Sequence, residues 1–211
     1  VNEPLKAGIA TWRGRDYNQR MKDSQNPQAR RFEATRIVAF ATLAAMTYGV
    51  LHDQVTAHVC VEYFTIAHPP VFPTDSPFLL AIGWGIIATW WVGLPLGIGL
   101  ALAARAGRAP RLTLAELRRP IIALMLTSGA LALLAGLLGA ALVATGVAAV
   151  PGGWGEVIPP AKYVAFSADA WAHLASYASG AVGGLMLIVH TAWSRRRKAA
   201  SHLPPLKADG P

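Results

Sequence analysis

Long stretches without charge constrain this chain more than any other feature. No Asp, Glu, Lys or Arg falls between Asp75 and Arg105, between Pro120 and Glu156, or between Asp169 and Arg195. A helix needs about 20 apolar residues to cross a bilayer, and each stretch supplies them. A fourth run, from Arg36 to Leu51, is too short: fifteen residues rise about 22 Å, against roughly 30 Å of hydrocarbon. That helix is therefore expected to continue through His52, Asp53 and Gln54 toward Phe64. Charged residues make up 14% of the chain and apolar ones 54%, whereas a soluble domain carries about a quarter charged residues.

These runs predict an all-α fold, an integral membrane four-helix bundle with spans over 36–64, 78–104, 120–150 and 164–193. Basic tails cover 1–35 and 195–211. In the first tail Trp12, Arg13 and Arg15 suggest a partly amphipathic segment, which Pro27 would interrupt. Its polarity also leaves no apolar core for a cleavable signal peptide. Pro95 is expected to kink the second span. Thr113 and Glu116 fit a capping box, read as a short surface helix leading to Pro120. Pro69, Pro70 and Pro73 mark one outer loop, and Pro151, Gly152, Pro159 and Pro160 a second. Gly93 with Gly97, Gly136 with Gly139, and Gly180 with Gly184 allow close helix contact. Such faces could serve this chain's own packing, a membrane-protein partner or a homo-oligomer.

Orientation follows from the excess of Lys and Arg in cytoplasmic loops. Of 19 such residues, 8 lie up to Arg36, 5 over 105–119 and 5 after Trp193, leaving Lys162 alone on the other side. An even number of spans, with both termini cytoplasmic, satisfies this, and a bacterial cytoplasmic (inner) membrane is the expected location. The net charge of +8 is thereby explained by topology, without nucleic acid. Cys60 is the single cysteine, which excludes an intramolecular disulfide, a CxxC redox pair and a CxxCH haem attachment.

The functional lead is a group of ionisable residues on the outer side: His52, His58, His68, His173, Asp53, Glu62, Asp75, Glu156 and Asp169. Ionisable groups near membrane depth are expensive and seldom unpaired. If Arg36 and Arg195 mark one inner interface, His58 and His173 each lie 22 residues above it, and Glu62 and Asp169 each 26. His58 with Glu62 and Asp169 with His173 share i, i+4 spacing, so each pair lies on one helix face. His58, Glu62, Asp169 and His173 are therefore a candidate first shell for iron, manganese or zinc. The blander account makes them salt bridges that pin helix ends, or simply solvated groups. His52 with Asp53 is a candidate proton-handling pair. His52 or His58 with His173 are candidate axial ligands of a b-type haem, which Trp90 and Trp91 could line, although core or lipid-facing packing explains both tryptophans as well. Tyr63, Phe64, Trp154 and Tyr163 suit an outer aromatic belt.

No GxSxG elbow, HExxH, phosphate-binding loop or dinucleotide fingerprint is present, so no enzyme class is indicated. Three functions stay open. The first is a small accessory or structural membrane subunit whose polar cluster staples the helices. The second is a metal- or haem-binding redox protein or enzyme. The third is a small proton-coupled transporter using His52 and Asp53.

Overall fold

The structure, a computed structural model, describes residues 26–201. The segment with Trp12, Arg13 and Arg15 and the chain beyond Ser201 lie outside the described residues. Within them every regular element is helical: α1 (Pro27–Val59), α2 (Val61–Thr65), α3 (Pro77–Arg105), α4 (Leu114–Ala144) and α5 (Tyr163–Ser201), with two 3-10 turns over Pro151–Glu156 and Pro160–Lys162. Four of these are long and apolar enough to cross a membrane. The shortest, α3 with 29 residues, rises about 43 Å at the helical pitch.

Helix ends follow local chemistry. Pro27 starts α1, and the tail segment before it lies outside the described residues. The proline occupies the first turn, where its missing N–H has no intrahelical partner to lose, and the Asn26 side chain accepts from Gln28 N at 3.0 Å. The capping box forms as read, with Glu116 accepting from Thr113 N at 2.8 Å. The helix it opens, however, runs straight through Pro120 to Ala144. Arginines stop the apolar run after Trp193 without stopping α5, because Arg is a good helix former. The longest departure is in α1. It ends at Val59, and Cys60 turns extended (φ −148°, ψ 92°) before α2 begins. This break folds Tyr63 and Phe64 back over the helices instead of continuing outward.

Packing fixes neighbour order. α1 packs along α3 and α4 along α5, while α3 also meets α5 and α1 meets α4. α1 and α5 therefore face each other across one diagonal, with few contacts, and residues that join them sit on the central axis. Close approach in the α1–α3 seam depends on glycine. A Cβ on Gly85 would meet Val50 backbone at 2.5 Å, and one on Gly97 would meet Val38 O at 3.1 Å. Gly136 and Gly139 likewise face Ala168 and Trp171 of α5.

From Ser128 to Gly139, burial on α4 runs opposite to that of a water-soluble protein, although the start of the helix buries Leu117 and Ile121. α4 buries Ser128, Gly136 and Gly139 and exposes Leu126, Leu133, Leu134, Leu137 and Leu138. An exposed leucine surface of that extent is unfavourable in water. Small and polar residues inside with leucine outside is what apolar surroundings select. At the arginine-rich end, the buried Arg195 donates Nε to Pro110 O (2.7 Å), Nη2 to Ala106 O (3.0 Å) and Ala109 O (2.8 Å), and Nη1 to Ala103 O. One guanidinium thus ties α5 to the α3–α4 connection. Nearby, Glu33 of α1 accepts from Leu114 N at 2.7 Å and pairs with Arg36 at 2.9 Å.

Candidate metal centre

At the opposite end, His52 and Asp53 of α1 meet His173 of α5 across the diagonal. Each offers a ligating atom, and these atoms lie within 4.8 Å of one another. Asp53 and His173 are buried, and His52 is half-buried. His173 Nε2 stands 3.3 Å from Asp53 Oδ1. The other ring nitrogen, Nδ1, is 2.8 Å from Asp169 O. A carbonyl can only accept, so Nδ1 carries the hydrogen and Nε2 of the neutral ring keeps its lone pair for the site. A backbone carbonyl that fixes an imidazole in this way is the usual outer-shell partner of a metal-ligating histidine. His52 Nε2 is buried with no hydrogen-bond partner, a costly arrangement for a ring nitrogen. Among the described residues no other group of three His, Cys, Asp or Glu side chains converges so closely.

The walls come from aromatic side chains. Tyr63 stacks on His173 with centroids 4.4 Å apart, and Phe64 meets the same ring edge-on at 5.7 Å. These two cap the site because of the break at Cys60; they do not extend into an aromatic belt. His68 lies behind them. Its Nδ1 donates to Tyr63 O at 2.8 Å and its ring packs 4.8 Å from Trp84. Burial lowers its pKa below the ordinary imidazole value. On the other side of the site, Tyr48 Oη and Ser176 Oγ share a hydrogen bond of 2.8 Å. Tyr48 is one turn before His52, and its ring lies 5.8 Å from the His52 ring.

His52, Asp53 and His173 are each expected site residues, but in other groupings. His58 is exposed, with Nδ1 donating to Gln54 O at 2.7 Å. Glu62 pairs at 2.9 Å with Lys162. Burial alone would raise the Glu62 pKa, but hydrogen bonds from Lys162, its own N–H and the Cys60 thiol outweigh it and hold it below the usual carboxylate value. Asp169 is 1% exposed; its carbonyl serves His173 and its Oδ2 has no partner. The structure thus brings His173 to His52 and Asp53 and leaves His58 and Glu62 outside the cluster. Asp53 takes His173 as its partner, so the two expected pairs share members. The His52 and His173 rings touch edge to face, centroids 4.7 Å apart, with no gap between them for a flat macrocycle. Cys60 is buried against Ile158 and Phe166, and burial pushes its thiol up to about 12.

The cluster differs from the expected one because the two anchors are not level. α1 begins at Pro27, nine residues before Arg36, and Arg36 is exposed beside Glu33, whereas Arg195 is buried among loop carbonyls. His173 therefore meets residues 16 and 17 beyond Arg36 rather than residue 22. Tyr48 and Tyr177 were readable as possible site members, each one turn inward from a site histidine. Tyr63 and Phe64 carry no such signal, since their position depends on the turn at Cys60.

No protein-family model matches the chain, and no curated protein or solved structure is significantly similar to it. The site's own geometry is therefore the basis for a functional reading.

Proposed function

We propose that this chain is an integral protein of the bacterial cytoplasmic membrane, a four-helix bundle with both termini cytoplasmic, and that it binds one transition-metal ion at its outer end. The ligands are His52 Nε2, an Asp53 carboxylate oxygen and His173 Nε2. The carrying observation is the convergence of these three side chains, together with a buried His52 Nε2 that has no partner. Two imidazoles and one carboxylate suit iron(II), manganese(II) or zinc(II). Three protein ligands leave coordination positions open, as in catalytic and redox sites rather than closed structural ones. Membrane placement draws support from the four long apolar helices, and orientation from the Lys and Arg asymmetry.

Elemental mass spectrometry on protein purified gently from native membranes tests this. Near-stoichiometric metal is expected in the wild type and in His58→Ala and Glu62→Gln, and its loss in His173→Ala and Asp53→Ala. Metal retained in His173→Ala, or none in the wild type, removes the proposal. The 3.3 Å contact of His173 with Asp53 favours proton handling as the second reading, because without a metal that pair is ionic only when the imidazole is protonated. In that case metal-free protein in liposomes would show pH-dependent flux that Asp53→Asn abolishes. Absence of both metal and flux would leave the cluster as a staple in an accessory subunit.

A further inference from the structure

Directly inward of the metal candidate, a cavity of about 460 Å³ opens between all four long helices, with Tyr48, Trp91, Ser128, Ser176, Tyr177 and Gly180 among its lining residues. We propose that this cavity binds a prenyl quinone, with the ring against the Tyr48–Ser176 floor of the outer site and the tail running toward the arginine-rich end. The proposal is independent of the metal.

Four observations carry it. The volume falls within the roughly 300–1,000 Å³ typical of small-molecule sites. No charged side chain lines the cavity, so it offers no partner for the phosphate or amine of a phospholipid headgroup, whose burial would be costly. Ser128 is 1% exposed, lines the cavity and has an Oγ without a partner. A hydroxyl donor left so in an apolar chamber suits a neutral acceptor such as a quinone carbonyl. Finally, Tyr48, Trp91 and Tyr177 supply aromatic faces for a flat ring, and a Cβ on Gly180 would meet nothing within 4 Å, so the chamber is open at that point of α5.

The test uses the full-length protein in nanodiscs of synthetic phosphatidylcholine, titrated with decyl-ubiquinone while tryptophan fluorescence is followed. Saturable quenching is expected. Gly180→Leu, whose Cβ would enter open space, should weaken binding at least about tenfold, on the scale of a small-molecule contact set, while leaving helical content and metal content unchanged. Ser128→Ala should weaken it about 2- to 10-fold, the worth of one hydrogen bond, and covers the case in which the leucine variant fails to fold. Decylbenzene, which has a ring and tail but no carbonyl, should bind more weakly than the quinone and be indifferent to Ser128→Ala. Quenching that never saturates, or that is equal in both variants, would overturn the proposal. So would equal binding of decylbenzene, which would make the cavity a slot for hydrocarbon chains.

Discussion

Glu62 shows how a residue can be singled out as needing a partner and still be given the wrong one. Its i, i+4 relation to His58 is real on an unbroken helix, but the turn at Cys60 lies between them. Freed from that helix, the carboxylate reaches Lys162, the last residue of the 3-10 turn before α5. The pair ties α2 to the turn that leads into α5, close to where the His52–Asp53–His173 cluster joins α1 to α5. Because the Glu62 pKa is depressed in the folded chain, its contribution to stability is present above the ordinary glutamate value and disappears as pH falls through the lower, folded value. Glu62→Gln should therefore be less thermally stable than wild type at neutral pH, with the difference closing on acidification below the usual carboxylate range. The gap should also narrow with added salt, since the pair is partly exposed. Melting curves of both proteins at several pH values check this; a difference that grows in acid would contradict the assignment. The same break explains why the site was only partly legible. His52, Asp53, Asp169 and His173 announce themselves as charges where charge is costly. Their partners, though, depend on helix register and on one extended residue, and neither has a signature in local sequence.

At the scale of elements, sequence and structure agree because the same physics sets both. Uncharged stretches become α3, α4 and α5, and the short apolar run after Arg36 does extend through His52 and Asp53, as bilayer thickness requires. The boundaries that moved are those where a residue type has two roles: Pro27 as breaker or first-turn residue, Arg195 as span end or helix former. Small residues proved informative about which helices pair. Gly93 and Gly97 face Thr42, Ala45, Val38 and Ala41 of α1, and Gly85 sits against Val50. Around Gly85 the nearest neighbouring atoms are all backbone and cannot rotate away. Gly85→Ala is thus expected to destabilise the protein by about 1–3 kcal/mol, the usual cost of overpacking. Gly129→Ala is its control: the added Cβ comes no nearer than 3.5 Å to Tyr48 Cε2, and alanine is the better helix former by up to about 1 kcal/mol. Unfolding in mixed micelles should rank the variants Gly85→Ala, wild type, Gly129→Ala in rising stability. If the two substitutions behaved alike, the seam would not be the tight contact described.

For the molecule as a whole, the two ends differ in chemistry. One holds arginines that bond to carbonyls, as Arg195 does across the α3–α4 connection. The other holds histidines and carboxylates joined across the diagonal, roofed by Tyr63 and Phe64. The proposed topology puts the first in the cytoplasm and the second outside, so that the candidate metal centre would load from the outer compartment. Cys60 makes this directly testable. It is 1% exposed, and with a thiol pKa pushed up to about 12 it stays protonated at neutral pH, and the thiolate is the reactive form. New cysteines can therefore be read against a silent background. Glu156→Cys, on an exposed residue after α4, should react with a membrane-impermeant maleimide on intact spheroplasts. Arg108→Cys, exposed in the α3–α4 connection, should react only after the membrane is opened. The reverse pattern would invert the protein and put the cluster in the cytoplasm. Labelling of both from outside would break the even-span topology, and with it the argument that one asymmetry of Lys and Arg orients all four helices.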